Sequence, residues 1–322
     1  MLLNDFLTEW NDPRDTVEVQ TSGSTGQPQR MQVRKSRMRA SARMTCDFLG
    51  LRPGDTALLC MNLRYIGAKM MVVRSLERGL RLISVPPTSH PLATTDEQID
   101  LAAMVPLQVY AALQVPREAE RLRRVRHLLI GGGAIDARLE EQLRVFPHAV
   151  WSTYGMTETL SHIALRRVNG PASTDFYTPL PGVRVGLSES GCLAIEAPAL
   201  CDAKLLTNDL AKLLPDGRFR IIGRADNTLV SGGVKVQAEE LERLLRPCLP
   251  KPFLVTWISD ERLGQAVVVL AEDEQAELLC RRASLPDYWW PRHWLHVDRI
   301  PLTETGKPAR AEAHERAKRM LS

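Results

Sequence analysis

Short apolar runs alternate with longer amphipathic stretches from about residue 50 onward. Thr56–Cys60 and Leu80–Val85 are apolar throughout most of their length, which predicts buried strands. Between them, Ala68–Arg78 has the spacing of an amphipathic helix, and Gly79 follows as a helix-ending residue. This stretch therefore predicts a strand–helix–strand unit.

The same alternation returns after residue 120. Val125–Ile130 predicts another buried strand, which the glycine run Gly131–Gly133 ends. Ile135–Phe146 has helical spacing with Asp136 placed as its N-cap, and Ala149–Thr153 is strand-like. Strands that alternate with helices predict an α/β fold in which helices cover the faces of a parallel sheet.

The pattern changes after about residue 170. Val183–Leu187 and Cys192–Ala197 flank a Ser-Glu-Ser-Gly turn and predict a β-hairpin, so we expect a β-rich subdomain here. We place a domain boundary at Asp226, which gives a large N-terminal domain of residues 1–225 and a small α+β domain of residues 226–322. The pattern of the second domain predicts helices near Ala238–Leu245 and Glu272–Arg282 and strands near Phe253–Ile258 and Ala266–Ala271.

Composition narrows the function classes. The chain has 42 basic and 38 acidic residues, a net charge of +4, and no concentrated basic patch of the kind that binds nucleic acid. The arginine-rich stretch Arg117–Arg126 is interpreted as a solvated helix face. The six cysteines are scattered, without the spacing of a zinc site, and we find no signal peptide or membrane-spanning run, so we expect a cytoplasmic protein.

The segment Thr21–Gly26 (Thr-Ser-Gly-Ser-Thr-Gly) combines four hydroxyl groups and two glycines. Glycines let backbone N–H groups approach an anion, and the hydroxyls add further donors, so this loop suits a triphosphate. It lacks the Gly-x-x-x-x-Gly-Lys-Ser/Thr pattern of a Walker A loop. The alternative interpretation is a flexible polar surface loop.

The segment Tyr154–Thr159 (Tyr-Gly-Met-Thr-Glu-Thr) follows a predicted strand, where ligands of open α/β sheets bind. Glu158 offers a hard oxygen for Mg²⁺, Thr157 a hydroxyl for phosphate, and Tyr154 a flat face for a base. The alternative is a simple strand-to-helix turn with Thr159 as its cap.

Two further positions suit nucleotide chemistry. The Asp209 carboxylate matches the vicinal hydroxyls of a ribose, with Arg224 as a nearby cation, although Asp209 could instead cap a turn. Lys307 lies in the C-terminal segment Pro301–Lys307, where a mobile lysine could reach a phosphate or could simply be solvated.

Taken together and in this order, these segments resemble the adenylate-forming acyl- and aryl-CoA synthetase superfamily. Further matches in the same order are Gly131–Ala134, Gly223–Asp226 and Ser231–Gly233, so the resemblance covers nearly the whole chain from residue 20. It implies that a substrate carboxylate reacts with ATP to give an acyl-adenylate, and that coenzyme A then displaces AMP.

The resemblance also implies roles for individual residues. The β- and γ-phosphates are assigned to Ser22, Ser24, Thr25 and Gly26, and the adenine to Gly132, Gly133, Ala134 and Tyr154. The ribose is assigned to Asp209 and Arg224. Thr21, Gly23 and Gly155 belong to the same segments and are expected to contact the nucleotide. Glu158 would bind Mg²⁺, Thr157 would contact the α-phosphate, and Lys307 would stabilise the first transition state.

The same resemblance implies a moving C-terminal domain. Asp226 would be the hinge about which this domain turns to withdraw Lys307 and to present Gly232 and Gly233 to coenzyme A. Family members usually have a much longer segment before the phosphate loop, whereas this chain has 20 residues there, so we expect a truncated first subdomain.

Within the superfamily, the chain most resembles short o-succinylbenzoate–CoA ligases of menaquinone synthesis, on Asn62–Met71 and Tyr154–Ile163. Tyr65 stands where the family packs an aromatic ring on the acyl group. The second carboxylate of this keto-diacid needs a cation, for which Arg64, Lys69 and His162 are candidates beside ordinary structural roles. The alternatives are a ligase for another aryl or acyl acid and a nucleotide-binding homologue without turnover.

Overall fold

The computed structural model describes residues 1–20, 30–286, 288–303 and 308–321. The chain divides into two compact units. The first comprises Met1–Gly186, Ala194–Leu205 and Leu213–Arg220. The second comprises Leu187–Leu193, Leu206–Lys212 and Ile221–Ser322.

The strands of the first unit form two sheets. In the small sheet, β1 (Thr16–Gln20) pairs antiparallel with β2 (Arg30–Arg34). The main sheet contains β3 (Thr56–Leu59), β4 (Arg81–Ser84), β5 (Leu101–Met104), β6 (His127–Ile130), β7 (Ala149–Gly155), β8 (His162–Arg167) and β9 (Thr178–Pro179). Its order is β4-β3-β5-β6-β7-β8-β9, parallel from β4 to β7 and antiparallel from β7 onward. The expected α/β sheet is confirmed, with an antiparallel edge that the pattern did not predict.

The helices of this unit pack around the sheet. They are α1 (Leu3–Asn11), α2 (Lys35–Leu49), α3 (Ile66–Arg78), α4 (Pro106–Leu113), α5 (Pro116–Arg123) and α6 (Ala137–Arg144). The predicted ends are confirmed at two of them. Gly79 ends α3 in the left-handed conformation, with φ of 67°. Asp136 caps α6 by accepting hydrogen bonds from the backbone N–H groups of Arg138 and Leu139.

The helix α5 is not the fully solvated face that its arginines predicted. Arg121 is buried, and its Nη1 donates to the backbone carbonyls of Leu92 and Ala93 at 2.5 and 2.8 Å. Its Nε donates to Asp96 at 2.8 Å. The aliphatic part of the Arg121 side chain packs inside the protein, while its guanidinium donates to carbonyl and carboxylate acceptors. The charge pattern alone does not predict this arrangement.

The strands of the β-rich region follow the hairpin prediction. They are β10 (Arg184–Leu187), β11 (Cys192–Glu196), β12 (Leu205–Leu213) and β13 (Phe219–Arg224), hydrogen-bonded in chain order. The short loop between β10 and β11 closes with the backbone N–H of Gly191 donating to the carbonyl of Ser188 at 2.9 Å.

The second unit also contains a mixed sheet with helices. Its further strands are β14 (Thr228–Ser231), β15 (Val234–Gln237), β16 (Phe253–Asp260), β17 (Gly264–Ala271) and β18 (His293–His296). Its helices are α7 (Ala238–Leu245), α8 (Ala276–Cys280) and α9 (Arg310–Leu321). The helix predicted over Glu272–Arg282 is shorter, because Asp273 forms a turn that accepts from the N–H of Gln275. The domain boundary at Asp226 stays a prediction.

The apolar core of the second unit has two parts on the sheet formed by β16 and β17. Leu241 and Leu245 of α7 pack with Val255 and Val267 on one side. Ala313 and Ala317 of α9 belong to the cluster on the other side. In the described part of the chain, no helix combines the length and apolar character that crossing a membrane demands.

Candidate functional site

Two of the predicted site segments lie outside the described residues. These are the loop Thr21–Gly26 and Lys307. The residues that lead into the first of them are described. Gln20 ends β1 and forms a parallel bridge with Tyr65, the residue that precedes α3. The entry to the phosphate loop and the candidate acyl-binding tyrosine are therefore adjacent.

The segment Tyr154–Thr159 lies at the carboxyl end of β7. The strand ends at Gly155, and a single 3₁₀ turn follows at Thr157–Thr159. The Thr159 hydroxyl accepts from the N–H of Met156 at 3.0 Å and lies 2.8 Å from the carbonyl of Ser161. The capping role considered for Thr159 is therefore present, and it holds the turn that exposes Glu158 to solvent.

Gly155 is required by the close approach of two backbones. A Cβ atom at this position would lie 2.1 Å from the carbonyl oxygen of Ser161 and 2.5 Å from the Cα of His162. The register of β7 and β8 shifts between Tyr154 and Gly155, which is the mark of a β-bulge. The bulge ends the regular pairing of β7 with β8 and changes the direction of the chain. Thr157 and Glu158 therefore follow at the carboxyl end of β7.

Tyr154 is half-buried in an aromatic cluster. Its ring centroid lies 5.8 Å from that of Tyr177 and 5.2 Å from that of Phe219. Tyr177 is in turn fixed by a 2.8 Å hydrogen bond between its hydroxyl and that of Ser152. Edge-to-face packing of this kind holds one aromatic ring in a defined orientation.

The glycine run after β6 is also sterically constrained. A Cβ on Gly131 would lie 2.3 Å from the Thr153 hydroxyl oxygen, so the close approach of β7 leaves no room for a side chain at Gly131. Gly132 has a φ of 77°, a conformation that L side chains rarely adopt. Gly132, Gly133 and Ala134 thus begin at the carboxyl edge of β6, next to the strand that carries Tyr154.

The three candidate cations for the substrate have different environments. Arg64 is exposed, beside the 39% exposed Tyr65. Lys69 and His162 are buried against protein partners, and their role as substrate cations stays a prediction. The Lys69 ammonium donates to the carbonyl of Glu18 at 2.6 Å.

His162 is an interior neutral residue. Its Nε2 lies 2.9 Å from the Thr45 hydroxyl, and it is 6% exposed. Burial, and next the neighbouring charge of Arg74, lower the pKa of His162 well below its ordinary value of 6.5. A group held neutral in this way cannot balance a carboxylate at neutral pH.

Arg74 is a buried cation that the sequence analysis missed. Its Nη2 donates to the Ser161 hydroxyl at 2.8 Å, and its Nε has no hydrogen-bond partner among the described residues. Burial lowers the pKa of Arg74 to about 10. In the sequence, the signal for a buried cation here is that an arginine directly follows the apolar run Met70–Val73. A buried guanidinium without a carboxylate is costly, and such costs concentrate at functional sites.

The second unit brings the predicted ribose residues together. Arg224 Nη1 lies 3.4 Å from the Asp209 carboxylate, and its Nη2 lies 2.7 Å from that of Asp226. The backbone N–H of Asp209 donates to the Thr207 hydroxyl at 3.1 Å, which fixes its position on β12. One arginine therefore links the candidate ribose carboxylate to the candidate hinge.

The pair Gly232 and Gly233 forms the turn between β14 and β15. Ser231 pairs with Val234, so the loop has two residues, with φ of 56° and 82°. Two successive positive φ values are the requirement of a tight type I′ hairpin, which glycine meets without strain. The role of this turn toward coenzyme A stays a prediction.

Comparison with known proteins gives a consistent result. The profile of the AMP-binding enzyme family matches residues 4–192. The 2-succinylbenzoate–CoA ligase of Escherichia coli is 28% identical over 305 residues, which cover 89% of this chain and 65% of the relative. The corresponding ligase of Salmonella typhimurium is 27% identical and aligns over 83% of this chain and 60% of its own length. The chain thus spans less than two thirds of these relatives.

Solved structures share the fold. An acyl-CoA synthetase (AMP-forming)/AMP-acid ligase II-like protein from Dyadobacter fermentans has 33% sequence identity and a TM-score of 0.67, with 99% of this chain and 93% of that chain covered. The Bacillus subtilis o-succinylbenzoate coenzyme A synthetase, solved with ATP and magnesium ion, has a TM-score of 0.75 at 20% identity, with 92% and 69% covered. At that identity the second likeness supports the fold alone.

Gly155→Ala should lower the free energy of unfolding by about 2 kcal/mol or more, because the new methyl group meets backbone atoms that cannot rotate away. Gly186→Ala is the matched control, since nothing lies within 4 Å of a Cβ built there. Urea denaturation of both variants measures the effect. Equal stability of the two would contradict the close approach at Gly155.

Lowering the pH should weaken the fold through His162. The unfolded chain binds a proton at His162 below about pH 6.5 while the folded protein does not, so this stabilisation is present above that pH and is lost as the pH falls. The expected slope is up to about 1.4 kcal/mol per pH unit.

His162→Gln, which keeps a polar partner for Thr45, should lack this part of the slope. His127, whose pKa burial lowers to about 4, contributes to the slope of both proteins and cancels in the comparison. Urea denaturation at pH 7 and pH 5 gives the two slopes. Identical slopes would show that His162 is not held neutral.

Proposed function

Because the chain belongs to the AMP-binding enzyme family, we propose that it is an ATP-dependent acid–CoA ligase whose acid is o-succinylbenzoate. Two supports stand beside the family match. The segment Tyr154–Glu158 lies at the carboxyl end of β7, and the curated relatives named above are ligases for this acid.

The proposed reaction has two steps. In the first, a carboxylate oxygen of the acid attacks the α-phosphorus of ATP, the bond to the bridging oxygen of pyrophosphate breaks, and pyrophosphate leaves. In the second, the sulfur of coenzyme A attacks the acyl carbon and the carbon–oxygen bond to AMP breaks. The thiol proton is lost, and AMP leaves with the oxygen that came from the acid.

The segment Tyr154–Glu158, at the carboxyl end of β7, is the observation that carries the proposal. β7 delivers a fixed aromatic face and an exposed carboxylate within five residues, beyond a glycine that admits no side chain. The carboxyl ends of parallel strands are where α/β sheets bind nucleotides. In this arrangement Tyr154 stacks on the adenine and Thr157 contacts the α-phosphate.

The residues present fit a magnesium ion. No group of three or more His, Cys, Asp or Glu side chains placed to hold a metal occurs in residues 1–20, 30–286, 288–303 and 308–321. Mg²⁺ bound with a nucleotide needs only one or two carboxylates, because phosphate oxygens and waters complete its shell. Glu158 is exposed and suits that role. When bound, the ion neutralises phosphate charge.

The ribose and the hinge belong to the second unit. Asp209 accepts hydrogen bonds from the two ribose hydroxyls, and Arg224 holds the carboxylate in place from 3.4 Å away. Asp226 is the hinge, and Gly232 with Gly233 faces coenzyme A in the second step. Arg224 also binds Asp226, so a rotation at the hinge changes the support of the ribose carboxylate.

The acyl subsite combines an aromatic surface and a cation. Tyr65 packs on the aromatic ring of the acid. Arg74 joins Arg64, Lys69 and His162 as a candidate for that cation, because it is a buried guanidinium without a carboxylate partner among the described residues. A second carboxylate on the substrate removes the cost of burying that charge and gains a paired hydrogen bond.

Exchange of labelled pyrophosphate into ATP should appear only when MgATP and a suitable acid are both present. o-Succinylbenzoate should give the fastest exchange in a panel that includes benzoate and aliphatic acids, since only a diacid satisfies both the reacting site and Arg74. Omission of magnesium is the control.

Three results separate the alternatives. Exchange with another acid, but not with o-succinylbenzoate, would retain the ligase and reject this substrate. MgATP binding without exchange for any acid would favour a nucleotide-binding homologue. Absence of both exchange and nucleotide binding would reject the proposed function.

Lys307→Ala should slow acyl-adenylate formation by about 100-fold or more, because a charge that stabilises the first transition state is removed. Thioester formation from preformed acyl-adenylate should change less than about threefold, because the hinge motion withdraws Lys307 before that step. Single-turnover assays of each half-reaction measure this. Equal losses in both would contradict the two-conformation role, and Lys318→Ala, in α9, is the control.

A further inference from the structure

Lys69 stands out among the candidate residues because the structure buries its ammonium beside backbone. Its side chain is 2% exposed. The Nζ donates to the carbonyl of Glu18 at 2.6 Å, lies 3.4 Å from the carboxylate of Glu9, and lies 5.2 Å from the centroid of the Phe6 ring. A lysine is rarely buried this fully unless its ammonium is paired with other protein groups.

These contacts form a closed clamp on the backbone of one residue of β1. Glu9 of α1 accepts from the backbone N–H of Glu18 at 3.0 Å. Lys69 of α3 binds the carbonyl of the same residue and also contacts Glu9. Both hydrogen-bonding groups of Glu18 are thus bound by charged side chains of two different helices. We call Lys69, Glu9 and the Glu18 backbone the β1 clamp.

The clamp is two residues from the end of β1. Gln20 ends the strand, bridges Tyr65 in parallel, and directly precedes the phosphate loop in sequence. Tyr65 in turn lies four residues before Lys69, and the N–H of Lys69 donates to the carbonyl of Tyr65 at 3.3 Å. A single helix turn therefore connects the clamp to the candidate acyl-binding ring.

The geometry favours positioning over simple ion-pair stability. The contact with the Glu9 carboxylate is long, at 3.4 Å, whereas the bond to the backbone carbonyl is short, at 2.6 Å. Removing a lysine from water has a cost that a long ion pair does not offset. The short hydrogen bond from Lys69 to the Glu18 carbonyl instead fixes the position of the β1 backbone along the axis of α3.

We propose that Lys69 is a positioning residue, which holds the end of β1 against the start of α3 and so fixes Gln20, the last described residue before the loop assigned to phosphate, relative to Tyr65. An effect of Lys69 on adenylate formation is expected only if the proposed function is correct. An effect of Lys69 on nucleotide binding is expected whether or not the chain forms an adenylate.

The chain supplies a matched control in Lys35. Its Nζ donates to the carbonyl of Asp12, also at 2.6 Å, and so ties the same N-terminal segment through an equivalent bond. Lys35 follows Arg34, which pairs with Thr16 at the opposite end of β1 from Gln20. Lys35 is partly buried and binds the backbone at the end of α1, whereas Lys69 is buried and binds the backbone of β1 near Gln20.

The experiment compares Lys69→Met with Lys35→Met in the full chain. We expect Lys69→Met to weaken MgATP binding by about tenfold while AMP binding changes less than about twofold, because only ATP carries the β- and γ-phosphates. Lys35→Met should leave both affinities within about twofold. Lys69→Arg should recover part of the MgATP affinity, because it restores a charged donor.

A second readout needs no ligand. Hydrogen exchange should speed up in peptides covering residues 16–20 and 62–68 of Lys69→Met, and not in those peptides of Lys35→Met. If Lys69→Met fails to fold, Lys69→Gln and Lys35→Gln give the same comparison with milder changes.

The proposal is overturned if the two methionine variants lose MgATP affinity equally, or if Lys69→Met weakens AMP as much as MgATP. Unchanged exchange at residues 16–20 and 62–68 would also overturn it. Failure of the proposed function is a different result. In that case the wild-type protein shows no acid-dependent pyrophosphate exchange, while the difference between the two lysines in hydrogen exchange persists.

Discussion

The contact between the backbones of β7 and β8 at Gly155 is the constraint on which the candidate nucleotide site depends. No side chain fits there, since a Cβ would lie 2.1 Å from the carbonyl oxygen of Ser161. The close approach produces a bulge and a 3₁₀ turn, and these expose Glu158 beyond the sheet edge. It also brings Ser161 and His162 inward, where Ser161 meets the buried guanidinium of Arg74.

Much of the fold could be predicted from the sequence, because its signals are local. The apolar runs of β3, β4 and β6, the left-handed Gly79 and the Asp136 cap each depend on a few neighbouring residues. The antiparallel strands β8 and β9 were not predicted, because the direction in which a strand pairs is not a local property of its sequence. The solvated face predicted for α5 holds for Arg117, Arg123 and Arg124 and not for Arg121, whose carbonyl acceptors lie 28 and 29 residues away.

The candidate site was predictable in its motifs and not in its charges. Tyr154, Gly155 and Glu158 were identified by residue type and order. The burial of Lys69 and His162 was not predicted, because burial is set by long-range packing. Lys69 contacts residues 51 and 60 positions away, and His162 contacts one 117 positions away. The same packing leaves Arg74 as the buried guanidinium without a carboxylate among the described residues.

Transfer of AMP from ATP to a carboxylic acid is the step on which the proposed function rests. The most direct measurement uses o-succinylbenzoate labelled with oxygen-18 in the reacting carboxylate, incubated with MgATP and coenzyme A, followed by mass spectrometry of the products. One labelled oxygen is expected in AMP and none in inorganic phosphate, because the acyl–oxygen bond breaks when the thiol attacks. Label in phosphate together with formation of ADP, or unlabelled AMP, would contradict this transfer of AMP.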